Sequence, residues 1–284
     1  MSKIKYAILT MDVEDWYHLD YFNRKQCDEE YSMLDGLNNY LEILDSYNIP
    51  SSFFVLGELA NPLKQTLREI SQDKHEIASH GWDHKKPMLL ELNQFNYDII
   101  KSKNILEDII GMEVMGYRAP CFSMDRNRVD LLIKAGYSYD SSKIKFTNHP
   151  LYGDIDLQGF QHLSSSIYKY EKFYEFEVST KNILGKNIPV SGGGYIRLLP
   201  WLFMKKMVSS YLGHSDFYVF YIHPFEFSHK ANPNFPESSN WNERLRFRKG
   251  RNSVKKKFES LINLLISNDF HFTTFKNILK QDLL

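Results

Sequence analysis

The chain has 284 residues, 43% hydrophobic and 15% aromatic, enough to fill a sizeable core, which excludes a disordered chain. Its 35 basic and 35 acidic residues cancel, so no overall field draws it onto nucleic acid or an anionic membrane, a local patch aside. The two cysteines, Cys27 and Cys121, lie far apart and outside CxxC spacing, so neither a disulfide framework nor a thiolate zinc site is readable, and the composition suits a reducing compartment.

The first apolar run, Tyr6 to Thr10, ends at Asp12, Glu14 and Asp15. It is too short for a signal-peptide core and predicts a buried strand with acids at its carboxyl end. No later run approaches the roughly 20 apolar residues of a membrane span, so a cytoplasmic protein is expected, peripheral association with a membrane-bound assembly being left open. Leu34, Leu37, Leu41 and Leu44 recur at helical steps before the stop Asn48-Ile49-Pro50. Ser52 to Leu56 reads as the second strand, and Asn61-Pro62 as the cap and first turn of a helix faced by Leu63, Leu67 and Ile70. His75 to Ser79 is a third strand; Phe95, Ile99, Leu106 and Ile110 stripe a helix closed by Gly111. A fourth strand ends at Tyr117-Arg118, Asp125 caps a helix stopped by Gly136, and Tyr137 to Tyr139 is a fifth strand ending at Asp140.

Residues 141–190 lack a long helical stripe and read as an extended, insertion-like excursion, with Phe173, Phe176 and Val178 suggesting a hairpin. After Gly192-Gly193-Gly194 a helix runs from about Pro200 to Leu212, and Phe217 to Ile222 is the most apolar strand, ending at His223. Phe258, Leu261, Leu264 and Leu265 face a helix and Phe270 to Thr273 form a last strand, so that 227–284 completes the fold. Alternating strand and helix imply an α/β architecture, an open doubly wound sheet or a barrel. Asp12, His80, Arg118, Asp140 and His223 all fall at strand carboxyl ends, which converge on one face in a barrel, so a single-domain (β/α) barrel is the simpler reading.

Three carboxylates in four residues, Asp12, Glu14 and Asp15, repel one another unless a cation relieves them. His80 and His84, four apart, can reach one ion from a tight loop, with a carboxylate completing a set that leaves open positions for water. Arg118, before Ala119-Pro120, can hold a carboxylate bidentately, and His223 has the near-neutral pKa of a general acid. Taken singly these motifs read as a solvated acidic turn, an incidental histidine pair, a surface arginine and a packed histidine; the ordered set gives them weight.

That order resembles the polysaccharide deacetylase family, carbohydrate esterase family four, also called the NodB homology domain, over Thr10 to about Glu226. Asp12 to His18, Gly193 to Pro200, His223 to Glu226 and the basic Arg246-Phe247-Arg248 resemble its exosortase-associated branch and extend the likeness over nearly the whole chain. The resemblance implies a distorted (β/α) barrel with one divalent metal, usually zinc, that removes N-acetyl groups from sugars of a glycan or glycan precursor. By the same resemblance Asp12 is the catalytic base, Arg118 the arginine that steers it, His223 the general acid, and His80 and His84 metal ligands.

Val13 stands where the family has its metal-binding aspartate, so Glu14 or Asp15 must supply the third ligand; strand alternation favours Glu14, a break in the strand Asp15. Asp140 sits where the family's histidine-orienting aspartate is sought, without a clean local match. Trp82, Pro120, Tyr195 and Arg197 are expected to meet the carbohydrate, the last two from a tight glycine loop edging the site. The resemblance is also compatible with association with a polysaccharide biosynthesis assembly. Competing readings are a glycan-binding protein without the chemistry, an allantoinase-like C–N hydrolase without metal, and a cysteine hydrolase using Cys121, whose alkylation the deacetylase reading expects to be tolerated. The Gly192–Gly194 run lacks phosphate-loop spacing.

Overall fold

Strand and helix alternate in the computed structural model, which describes residues 4–146, 152–183, 185–281 and 283. The first half runs β1 (Lys5–Val13), α1 (Asp35–Tyr47), β2 (Ser52–Val55), α2 (Lys64–Gln72), β3 (Glu76–Ser79), α3 (Leu92–Ile110), β4 (Gly116–Tyr117), α4 (Arg126–Lys134) and β5 (Tyr139–Asp140). There follow β6 (Gln161–Ser164), β7 (Ile167–Tyr170), β8 (Phe173–Phe176), β9 (Thr180–Ile183) and β10 (Lys186–Pro189). Then come α5 (Gly193–Leu198), α6 (Trp201–Leu212), β11 (Phe217–Ile222), α7 (Pro224–Phe227), α8 (Trp241–Arg248), α9 (Arg251–Ile266), β12 (Phe270–Phe272) and α10 (Phe275–Lys280).

The main sheet has the order β11-β1-β2-β3-β4-β5-β8-β7-β6, with β12 beside the start of β1. β11 and β1 to β5 are parallel, and β8 joins β5 in parallel. Beyond β8 the curl returns to β11, where Ser179 N donates to Val219 O (3.5 Å) and Val219 N donates to Ser179 Oγ (2.9 Å). The result is a distorted, incompletely closed α/β barrel, as expected.

Strand parity sorts the side chains of β1. Ala7, Leu9, Met11 and Val13 join the layer under the helices, whereas Ile8 points inward with Phe54, Ala78, Phe176 and Val219. Phe275 and Ile278 of α10 belong to that inner layer, so it is filled at one end by α10, and the chemistry-bearing side chains occupy the other. Gly111 takes a left-handed φ of 69° and closes α3 without a Cβ penalty.

Three expectations are corrected. α2 begins at Lys64 without a side-chain cap; Asn61 and Pro62 lie in the preceding turn, where Asn61 O accepts from Lys64 N. Residues 141–190 are no external insertion: β8 is a barrel strand, β7 and β6 extend its sheet antiparallel, and only β9 and β10 pair separately; within this stretch, 147–151 and 184 fall outside the described residues. Residues 227–284 add one short strand beside β1 and otherwise cover the barrel with helices. Among the described residues no helix is long and apolar enough to cross a membrane.

Candidate active site

Asp12 shares its parity with Ile8 and Thr10 and so turns into the barrel mouth. The strand then tightens, Glu14 N donating to Asp12 O (3.0 Å), which keeps Glu14 over the same mouth. Asp15 is diverted: its Oδ1 accepts from Trp16 N and Met33 N, both at 2.8 Å, capping the turn Trp16–His18. Of the two acids left open by the sequence, Glu14 is the one that gathers with the histidines.

The loop after β3 reaches the mouth through left-handed residues, Gly81 at φ 78° and His84 at φ 62°. It returns His84 to within 5.4 Å of His80, ring centre to ring centre. His80 Nδ1 donates to Arg118 O (2.8 Å), which fixes the tautomer and leaves Nε2 as the electron-pair donor. His84 Nε2 lies 2.5 Å from Glu14 Oε2. Ligand atoms of Glu14, His80 and His84 all fall within 4.8 Å of one another. Burial holds His80 down at about 4, so it is neutral at pH 7. Burial would raise Glu14, but the imidazoles, His84 foremost, bring it to about 2. A neutral His80 and an ionised Glu14 are in the protonation states a divalent first-row metal requires, and Glu14 Oε2 has no properly aligned hydrogen bond, so the donor set of Glu14, His80 and His84 fits such an ion. Another trio, Asp45, Asp73 and His75, has two exposed acids already engaged by Lys74.

Arg118 is fully buried at the end of β4. Its Nη1 donates to Asp12 Oδ1 (2.8 Å) and Thr10 Oγ1 (2.6 Å), while Nε and Nη2 donate to Ser141 O and Oγ. The guanidinium therefore has one orientation, and Asp12 is held by it.

His223 ends β11 with its Nε2 3.5 Å from Glu14 Oε1. Its Nδ1 donates to Glu226 Oε2 (3.2 Å), and its backbone N donates to the same oxygen (3.1 Å). Burial opposes charge on His223, but the Glu226 hydrogen bond and then the Glu14 carboxylate outweigh it and lift the imidazole to about 9. Glu226 is in turn held by Arg197 Nε (2.9 Å). Sequence reasoning missed this role of Glu226: the signal was the spacing His-Pro-Phe-Glu, which starts α7 with proline and brings the acid back beside the imidazole.

These groups line a cavity of about 320 Å³ walled by Tyr21, Phe122, Tyr152, Tyr195, Tyr221 and Phe225. Tyr195 lines it from α5, a helix that begins at Gly193 where a tight glycine loop was expected. Arg197 lines it too, but its nitrogens are turned to Glu226 and to the carbonyls of Arg246, Phe247 and Lys249, so it braces the site rather than facing the carbohydrate. Trp82 and Pro120 are not on the wall: the indole covers Gly57 and lies under Lys101 Nζ (3.3 Å), and the Pro120 ring backs Gly81. Asp140 pairs with Ser142 and Glu175 on the barrel wall and does not orient His223. Cys121 lines the cavity with its thiol pushed up by burial, so alkylation would fill the cavity rather than be tolerated.

Residues 28–139 match the family model described as polysaccharide deacetylase. The chain carries a polysaccharide deacetylase domain. Residues 141–280 match a domain family of unknown function, DUF3473, and this second match contains Gly193 to Pro200, His223 to Glu226 and Arg246 to Arg248. A peptidoglycan deacetylase of Helicobacter pylori is 26% identical over 41% of this chain and 40% of its own length. The chain spans less than half the length of the curated relatives it matches. In fold it is similar to a polysaccharide deacetylase structure from Mycobacterium smegmatis (TM-score 0.63, 17% identity, 99% of this chain and 91% of that one). It is also similar to a CE4-family pseudoenzyme from Bacillus anthracis (TM-score 0.55, 12% identity, 98% and 66%). The deacetylase fold thus occurs with and without activity.

Proposed function

We propose that the protein is a metal-dependent hydrolase that removes the N-acetyl group from an acetamido sugar of a glycan or glycan precursor. The observation that carries this reading is the convergence of Glu14, His80 and His84 on one point, with Asp12 and His223 beside it. A divalent ion held by that trio, zinc being well suited to two imidazoles and a carboxylate, supplies carbonyl polarisation and an acidified water.

Asp12, oriented by Arg118, takes the proton of the attacking water. His223 enters the reaction protonated because Glu226 holds its Nδ1–H, and its Nε2 proton goes to the departing amine nitrogen, without which the C–N bond re-forms. The largely apolar and aromatic wall offers ring faces to a sugar. Kinship with the Helicobacter pylori peptidoglycan deacetylase supports an N-acetylated glycan as the substrate class.

A binding-only protein is the second reading, favoured by Val13, whose side chain is buried in the layer under the helices where the family's acid would be. Against it, Glu14 offers the missing oxygen to the two histidines.

One experiment separates the two. The purified protein is expected to hold about one zinc-type ion per chain and to release acetate from N-acetylated sugar oligomers. His80→Ala with His84→Ala should lose the ion. Asp12→Asn should keep it and lose turnover by about 100-fold or more. Metal binding without acetate release from any acetylated sugar would favour the binding protein; full activity in Asp12→Asn would remove the mechanism.

A further inference from the structure

The rim of the cavity carries an apolar prominence that the proposed chemistry does not use. Leu199 lines the cavity, and α6 starts two residues later with Leu202 81% and Phe203 52% exposed. Arg246, also on the rim, belongs to α8, which exposes Trp241 (71%) and Leu245 (39%). The two segments are adjacent: Arg197, at the end of α5, donates to the carbonyls of Arg246, Phe247 and Lys249, and Lys257 bonds to Arg197 O and Leu199 O.

Cations surround this prominence. Lys205, Lys206, Arg246, Arg248 and Lys249 are exposed, and none of them forms an ion pair among the described residues. The nearby Glu243 is turned back onto Asn240 N. α6 leads from the rim towards the start of β11, so Lys205 and Lys206 stand a turn farther from the mouth than Leu202 and Phe203. On α6, apolar side chains nearest the mouth with lysines one turn behind make the layering of an interfacial segment, whose rings and leucines enter the acyl boundary while lysines meet headgroups, and Arg246 adds a cation at the rim.

We propose that this face docks on an anionic lipid bilayer and presents the cavity mouth at its surface. The cations decide the occupant: Arg246 and Arg248 lie over the Tyr21 and Phe235 rings and Lys205, Lys206 and Lys249 form no ion pair among the described residues, so their charge is left for a negative surface. Zero net charge of the whole chain is no obstacle, since attraction to a charged surface decays within a Debye length and is set by the local patch.

The test is sedimentation of the full-length protein with vesicles of phosphatidylglycerol and phosphatidylcholine in equal parts, against phosphatidylcholine alone, at low and high salt. Expected are preferential, salt-sensitive binding to the anionic vesicles and a blue shift of tryptophan emission that Trp241→Phe removes. Lys205→Gln with Lys206→Gln should weaken partitioning about 30-fold. Leu202→Gln with Phe203→Gln should weaken it as well, whereas Ile266→Gln, exposed at the far end of α9, should not. Thermal melts confirm that each variant is folded, and the wild-type emission shift needs no substitution in the patch. No preference for anionic vesicles, or wild-type binding by the patch variants, overturns the proposal. So does a dimer in solution that the patch variants dissociate, which would assign the surface to a second copy.

Discussion

Gly193 decides where Glu226 can sit, and through it where the His223 proton points. A Cβ at that position would stand 1.7 Å from Glu226 Oε2, the oxygen that accepts from the backbone N and the Nδ1 of His223. Gly193→Ala is therefore expected to push the carboxylate aside and cut kcat about 100-fold with little change in KM. Metal content should be unaltered, because Glu226 touches none of the Glu14, His80 and His84 trio; steady-state kinetics and metal analysis of the variant check this. Residue by residue, the candidate site was largely legible. Asp12, His80, Arg118 and His223 each end a strand, and strand ends of a parallel barrel meet. The choice between Glu14 and Asp15 was decided by a backbone turn and a helix cap. Glu226 was missed because an acid in the first turn of a helix has an ordinary capping explanation. Trp82 has the right chemistry for a sugar, but which way an indole turns is set by its neighbours, here Gly57 and Lys101.

The pairing of β5 with β8 sets Asp140 opposite Glu175, both fully buried. Ser142 Oγ donates to Asp140 and Lys143 N to Glu175, while Asp140 Oδ2 and Glu175 Oε2 are left buried without a hydrogen-bond donor among the described residues. Burial raises Asp140 to about 6 and Glu175 well above its ordinary range. The folded chain thus keeps protons that the unfolded chain releases at about pH 4. Stability from the pair is full below that pH and is lost as pH rises through 6. Glu175→Gln, whose amide stays neutral at every pH, should remove the Glu175 share of this loss and gain about 1 kcal/mol at pH 8 over wild type, with less gain at pH 5, while the Asp140 share remains. Melting curves at the two pH values measure it, and an equal shift at both would refute a Glu175 carboxyl raised by burial. The strands and helices on either side of this pair were readable from their apolar periods. The role of β8 was not, since a four-residue parallel strand entered from an antiparallel hairpin carries no crossover helix to announce it.

Across the whole molecule, Arg197 ties the tail to the site. Its Nε holds Glu226 while Nη1 collects the carbonyls of Arg246, Phe247 and Lys249 at the end of α8. Arg197→Met leaves Glu226 buried with one partner fewer and frees those carbonyls, so a loss of about 3–5 kcal/mol is expected in denaturant unfolding. Faster amide exchange over 241–250 should accompany it. Unaltered exchange there would show that α8 is held by its apolar contacts alone.

The two family matches meet at residue 140, inside the two-residue strand β5, which has β4 on one side and β8 on the other. His80, His84 and Arg118 come from one side of that junction, and Arg197, His223 and Glu226 from the other. A crossover at that point between diverged cousins would join a proton acceptor tuned in one lineage to a proton donor tuned in another. It would also splice unlike neighbours onto a strand only two residues long. A hybrid joined at residue 140 is therefore expected to lose activity even when both parents are active, because neither segment brings the acceptor and the donor alone.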